Sequence, residues 1–154
     1  MEARSPTQKA SPRDIAAAVA DLLDQGVTID RLSRPITITA VIGLMIGLGL
    51  GLGALLIASL LLVTLAGLAE TYLALRTGFD AALFRRLAAG SSDPDLTGLD
   101  AALSELGVVG RMVQRAIEQR AVGARRLFVL QGATLMLQIA VVLIATALAQ
   151  AHAN

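Results

Sequence analysis

The sequence predicts an all-α membrane protein whose two long transmembrane helices form an antiparallel hairpin. Ile36–Ala69 contains no charged side chain, and a second apolar run occupies Leu127–Ala149. About 20 helical residues cross the ~30 Å hydrocarbon core of a bilayer, so both runs are long enough to span it. Apolar residues at helical spacing continue after the first run and precede the second, which predicts amphipathic cytoplasmic extensions of both helices.

Changes in composition along the chain define its expected organisation. The segments are a disordered tail at 1–11, an N-terminal amphipathic helix and linker at 12–34, a glycine-rich first span at 35–69, a helical extramembrane hairpin at 70–126 with its turn at 90–98, a second span at 127–149, and a tail at 150–154.

The overall composition excludes several classes of function. Hydrophobic residues make up 55% of the chain and aromatic residues 3%, a balance typical of helices that contact lipid and one another. The net charge of +1 argues against nucleic acid as a partner, because phosphate binding requires a clustered basic excess. The chain has no cysteine, which excludes disulfides and thiolate chemistry. We expect no cofactor, no metal site and no small-molecule substrate.

A helix is predicted to begin just after Ser11. Ser11 is suited to cap the helix, Pro12 to occupy its first position, and Asp14 to complete a capping box. Apolar residues then recur at helical spacing until Gly26, which is expected to end the helix. We expect this amphipathic helix to pack against its own chain; an alternative is that it lies on the membrane surface or docks on a partner.

A glycine stripe is the most unusual feature of the first span. Gly43, Gly47 and Gly51 recur every four residues, with Gly49 and Gly53 interleaved. On one continuous helix this spacing forms a groove that lets a neighbouring backbone approach closely, so we interpret the stripe as a packing surface. The alternative interpretation is that so many glycines bend or break the helix, as a hairpin tip or a hinge.

Three polar residues share one face of the second span. Gln131, Thr134 and Gln138 are separated by three, four and seven positions along the chain. Amides inside a membrane protein usually hydrogen-bond to another helix. We therefore expect this face to pack against the first span; a contact with a partner protein or a wet lining is the alternative.

One carboxyl group stands at the end of the first apolar run. Glu70 follows that run directly, while Arg125 and Arg126 directly precede the second. If the two extensions pair as a hairpin, Glu70 falls near these arginines, and we expect an interfacial ion pair among them. A functional carboxyl group inside the membrane is the alternative.

The distribution of arginine predicts the orientation in the membrane. Cytoplasmic flanks of membrane helices are enriched in Arg and Lys, and the segment between the two runs is the most basic part of this chain. A two-span topology places that segment in the cytoplasm and both termini outside. The rival is a fold-back at the glycines, which creates three crossings and puts all thirteen basic residues inside, although each arm is then shorter than the usual ~17–25 residues.

No set of residues indicates catalysis, and the single histidine, His152, lies in the terminal tail. The predicted function is therefore a non-enzymatic assembly, scaffold or accessory subunit, as a homo-oligomer or with a larger membrane-protein partner. Arginine-rich, alanine-rich composition favours a bacterial origin, and hence a multi-pass protein of the inner (cytoplasmic) membrane. A helical hairpin with glycine-rich spans resembles phage holins and accessory subunits of bacterial complexes. A holin-like or channel-type pore-forming protein is accordingly the alternative.

Overall fold

The computed structural model describes residues 11–90, Glu105 and residues 117–153. Within those residues the chain is all-helical, without strands, and three of its helices are long and apolar enough to cross a membrane. The expected tail at 1–10, nearly all of the turn at 90–98 and the start of the second extension lie outside the described residues. The helices are α1 (Pro12–Asp24), α2 (Gly26–Gly49), α3 (Ala54–Ala89) and α4 (Ile117–Ala153).

Helix α1 begins as the sequence predicts. The backbone N–H of Asp14 donates to Ser11 Oγ at 3.2 Å, and the Ser11 N–H donates back to the Asp14 carboxylate at 3.4 Å. Pro12 stands at the first helical position, where no intrahelical N–H is needed. The capping box is thus confirmed.

The junction between α1 and α2 differs from the predicted stop and linker. Gln25 keeps a right-handed helical conformation, with φ −63° and ψ −19°, and α2 starts at once with Gly26. Gly26 has no positive φ; instead it is buried, and an added Cβ would lie 2.8 Å from Gln131 Oε1. This glycine therefore permits close approach of α4, and residues expected to be a linker form the first part of α2.

The first apolar run is two helices rather than one. Helix α2 ends at Gly49, and α3 begins at Ala54 after the four-residue connection Leu50–Gly53. The Leu52 N–H donates to the Gly47 carbonyl and the Gly51 N–H to the Leu48 carbonyl, the two hydrogen bonds of a Schellman motif. The expected single continuous span is therefore corrected: Gly51, with φ +65°, ends the helix and reverses the chain.

Gly51 is the one described residue whose backbone requires glycine, and this can be measured. A side chain in the left-handed region costs about 1–2 kcal/mol, so we expect Gly51→Ala to lower the free energy of unfolding by that amount. Gly49→Ala is the matched control, because an added Cβ there meets nothing within 4 Å. Chemical unfolding in mixed micelles, followed by circular dichroism, should separate the two variants; equal effects would contradict the role of Gly51.

Helix α3 is central and contacts each of the other three helices. It runs antiparallel to α2, and α4 runs antiparallel to α3 and therefore parallel to α2. Four pairs of neighbours fix the register of α2 against α3: Gly47 with Ile57, Gly43 with Leu60, Thr37 with Gly67, and Gly26 with Thr77. Ser33 with Gln138 and Glu70 with Gln131 fix the register of α4.

A small apolar core lies beyond the apolar run, where α1 packs between α3 and α4. Its buried members are Ala16, Ala20, Leu23, Ala81, Phe84, Leu87 and Ala124. Arg13 Nε donates to the Ala88 carbonyl at 2.7 Å, close to the end of α3, and Arg85 pairs with Asp24. The expectation that α1 packs against its own chain agrees with these contacts.

The apolar halves of the three long helices turn most of their surface outward. Of the most apolar window in each spanning-length helix, only 17%, 22% and 17% is buried inside the chain. Large apolar side chains such as Met45, Leu68 and Leu143 are exposed. In water this surface would be unstable, so lipid or other membrane helices must cover it.

Candidate functional site

A buried polar layer crosses the bundle where the apolar run of α2 begins. It consists of the half-buried Thr37 of α2 and six buried side chains: Asp30 and Ser33 of α2, Glu70 and Thr77 of α3, and Gln131 and Gln138 of α4. We call these residues the polar layer. Buried polar groups are costly unless they are hydrogen-bonded, so their partners decide what the layer does.

One half of the polar layer, around Gln138, is fully hydrogen-bonded. Ser33 Oγ donates to Gln138 Oε1 at 2.7 Å. Gln138 Nε2 donates to Thr37 Oγ1 at 2.9 Å and to the Val63 carbonyl at 3.3 Å. The side chain of Gln138 is 0% exposed and joins all three long helices.

Gly67 is what allows the helices to come this close. A Cβ at this position would overlap the Thr37 hydroxyl and lie 2.6 Å from Gln138 Nε2. Because Gly67 has no side chain, α3 leaves the space in which Thr37 of α2 and Gln138 of α4 form their hydrogen bond.

The other half of the polar layer, around Gln131, is only partly hydrogen-bonded. Gln131 Nε2 donates to the Gly26 carbonyl at 2.8 Å and to Glu70 Oε1 at 2.9 Å. Both side chains are 0% exposed. Four buried oxygens of the described residues nevertheless have no hydrogen-bond partner: Asp30 Oδ1, Glu70 Oε2, Thr77 Oγ1 and Gln131 Oε1. This half therefore holds spare acceptor capacity, whereas no buried side-chain nitrogen of the described residues lacks a partner.

The amide face predicted on the second span is placed inside the chain. Gln131 and Gln138 both reach α2 and α3, in agreement with the packing interpretation. Thr134, predicted to share that face, is half-buried and donates to the Gln131 carbonyl of its own helix. This hydrogen bond therefore lies within α4 and does not link it to another helix.

Glu70 has a different partner from the one expected. Arg125 and Arg126 are exposed, and neither forms an ion pair with Glu70 in the described part of the chain. The reason is register: Glu70 lies opposite Gln131, more than one helical turn further along α4 than the assumed pairing. An amide therefore replaces the arginines at this position.

The three glycines of the predicted stripe separate into two roles. Gly43 and Gly47 face α3, where added Cβ atoms would lie 3.3 Å from Leu60 and 2.8 Å from Ile57. Both positions fit the packing interpretation. Gly51 instead forms the turn, where an added Cβ would meet nothing within 4 Å.

Five members of the site were not predicted from the sequence: Asp30, Ser33, Thr37, Thr77 and the packing position Gly67. A signal was present in the spacing of polar residues. On α2, Gly26 and Ser33 are seven residues apart, with Asp30 between them. Glu70 and Thr77 on α3 are also seven apart, and so are Gln131 and Gln138 on α4. Matching seven-residue polar spacings on three helices indicate a shared buried face.

A metal site is not found among the described residues. They contain no group of three or more His, Cys, Asp and Glu side chains placed to hold a metal ion. The arrangement can fix three helices in one register and accept hydrogen bonds from a small donor. The chain matches no protein-family model, and it matches neither a curated protein nor a solved structure.

Proposed function

We propose that this chain is a non-enzymatic integral membrane protein that acts as an assembly, scaffold or accessory subunit of a bacterial inner-membrane complex. The observation that carries this proposal is the combination of a tightly joined interior with an outward apolar surface. The polar layer ties α2, α3 and α4 together, while Met45 and Leu143 remain exposed. Such a body is a stiff anchor with free faces for neighbouring membrane helices.

The core beyond the apolar run supports the same proposal. A bare anchor needs only its spans, whereas here α1 adds Ala16, Ala20 and Leu23 to a buried core shared with α3 and α4. Burial of apolar surface in that core stabilises a fixed shape outside the hydrocarbon region. A fixed extramembrane shape is what a scaffold presents to its partners.

Photo-crosslinking in intact membranes tests this function. A photoreactive residue at exposed Met45, Leu62 or Leu143 should give discrete adducts with a partner or a second copy on at least one helix face. The matched control is Ala40, which is 3% exposed and should give none. A chain that stays monomeric at every exposed position, and elutes as a monomer in mild detergent, would contradict the proposal.

The pore-forming alternative is less well supported. Its lining was expected from the amide face, yet Gln131 and Gln138 are fully buried and bonded within one chain. A water path along these amides would require the three helices to separate. Flux of ions or dye from reconstituted liposomes above that of empty vesicles would favour the alternative over the scaffold.

We infer three membrane crossings, with the N-terminus and the basic central segment in the cytoplasm. The turn at Leu50–Gly53 supports this topology, since it supplies the fold-back that three crossings need. All thirteen basic residues then lie on one side, as the charge rule favours. The apolar part of α2 is short for a membrane span. The exposed side chains of Arg31 and Arg34 allow the neighbouring turns of α2 to enter the membrane boundary, because long basic side chains can still reach the headgroups.

Cysteine labelling tests this topology, because the natural chain has no cysteine. With a membrane-impermeant maleimide, Leu50→Cys and His152→Cys should label in intact cells. Ser5→Cys and Ser92→Cys should label only after lysis. Labelling of position 5 in intact cells would indicate two crossings, and labelling of position 92 would contradict the charge argument itself.

A further inference from the structure

A groove of about 320 Å³ opens between α2 and α3 beside the polar layer. Its polar lining comes from Asp24, Asp30 and Arg34 on one side and from Thr71 and Thr77 on the other. Leu23, Val27 and Leu75 form the apolar part of its wall. The groove therefore combines charged groups of both signs with surface that suits hydrocarbon.

The groove lies where the apolar runs of α2 and α3 meet their polar segments, which is the level of the headgroups for helices that span a bilayer. Arg34 is the last charged residue before the apolar run of α2, and Thr71 directly follows Glu70 at the end of the apolar run of α3. Asp30 is four residues before Arg34, which places it about 6 Å further from the hydrocarbon core along the helix. The cation thus lies nearest the hydrocarbon, and the carboxylate lies further out.

Two buried oxygens in the groove lining lack partners. Asp30 accepts from Arg34 through Oδ2 at 2.7 Å, but its Oδ1 has no donor, and neither has Thr77 Oγ1. Asp30 is 8% exposed and Thr77 is 1% exposed. Asp24, in contrast, is already paired with Arg85. The free acceptor capacity is therefore concentrated at Asp30 and Thr77, and a ligand that donates hydrogen bonds would fill it.

We infer that this groove binds the headgroup of a phospholipid that carries a primary ammonium, of the phosphatidylethanolamine class. The phosphate lies by Arg34, whose exposed guanidinium has further N–H donors. The ammonium, which is further from the acyl chains, donates to Asp30 Oδ1 and Thr77 Oγ1. The order of Arg34 and Asp30 across the membrane boundary matches the order of phosphate and ammonium in the lipid.

The same chemistry excludes the other common headgroups. A choline ammonium has no N–H, so it would leave Asp30 Oδ1 without a donor. An anionic headgroup would bring negative charge to a lining with two carboxylates and one guanidinium. The apolar wall at Val27 and Leu75 selects a lipid over a free phosphate ester, because acyl chains gain from contact with it.

Native mass spectrometry of the full chain in detergent tests this site with wild-type protein alone. The probes are phosphatidylethanolamine, its mono- and dimethyl forms, phosphatidylcholine and phosphatidylglycerol, all with the same acyl chains. Retention should change little with the first methyl group, which leaves two N–H donors for the two acceptors, and should fall about tenfold with each of the next two, as one charge-assisted hydrogen bond is lost each time. Equal retention across the series would overturn the inference. Displacement by soluble phosphoethanolamine at equal concentration would overturn the lipid assignment.

Two matched pairs of variants locate the site. Asp30→Asn should abolish the preference for the primary ammonium, whereas Asp21→Asn, an exposed carboxylate on α1 outside the groove, should keep it. Arg34→Gln should weaken retention of every phospholipid, and Arg31→Gln should not. Helical content and elution volume verify that each variant is folded. If the members of a pair behave alike, the groove is not the binding site. This inference holds or fails independently of whether the protein has a partner subunit.

Discussion

Gly67→Ala should destabilise the protein more than any other single methyl group added to the described part of the chain. The new Cβ would overlap the Thr37 hydroxyl and lie 2.6 Å from Gln138 Nε2, and neither group can move away without breaking the hydrogen bond between them. Overpacking of this kind costs about 1–3 kcal/mol, which outweighs the gain of up to ~1 kcal/mol from replacing glycine by alanine in a helix. Unfolding of the purified protein in mixed micelles measures the difference.

The same helix provides the control for that experiment. At Gly78 of α3 an added Cβ meets nothing within 4 Å, so Gly78→Ala should stabilise by about 0.5–1 kcal/mol. Thr37→Ala removes two of the three atoms nearest the new Cβ, and it should recover part of the loss when combined with Gly67→Ala. If Gly67→Ala and Gly78→Ala shift stability in the same direction, the close approach at Gly67 is not real.

Gln131→Leu should have the second large effect, because it leaves the Glu70 carboxyl group buried without its donor. Gln131 Nε2 is the side-chain donor that Glu70 has in the described residues, and both residues are fully buried. Removing one partner from a buried charged pair costs about 3–5 kcal/mol, and we expect a loss toward the lower end because Gln131 is neutral. The measurement is again the free energy of unfolding in micelles.

A second substitution distinguishes this cause from a simple packing defect. Glu70→Gln removes the buried ionisable group, and its amide can also donate toward the unpaired Gln131 Oε1, so alone it should be neutral or stabilising. In the Gln131→Leu background it should restore much of the stability. Gln150→Leu, at an exposed amide of α4, is the control and should change little. A Gln131→Leu defect that Glu70→Gln leaves unchanged would mean that packing, and not the carboxyl group, is responsible.

The helices were predictable from the sequence because apolar content and spacing determine them locally. The capping box at Ser11 and Asp14 is an example, since it needs only four residues. The turn was predicted only as the alternative to a continuous span and without a position at Gly51, although a glycine after an apolar helix is the ordinary signal for a Schellman motif. Five glycines in one run gave that signal at several positions. Their spacing alone could not decide which glycine forms the turn and which ones pack against a neighbouring helix.

The site was predictable only in part, for a related reason. Gln131 and Gln138 were identifiable because an amide in an apolar run must find a partner. Their partners Ser33 and Glu70 lie at the polar ends of other segments, where a hydrophilic residue requires no explanation. Only the register between helices shows that these ends are buried. The predicted pairing of Glu70 with arginine differs from the structure for that reason, since a shift of more than one turn changes every cross-helix neighbour.

The polar layer also constrains how the protein reaches its folded state during synthesis. Helices α2 and α3 precede α4 in the chain and carry Ser33, Thr37 and Glu70, whereas the amides that satisfy them arrive with α4. A partly inserted chain therefore presents a carboxyl group and hydroxyls at the bilayer boundary until the last helix is made. The third spanning helix completes the fold by supplying donors to Thr37 and Glu70 and an acceptor to Ser33, so these hydrogen bonds of the polar layer form only once α4 is in place.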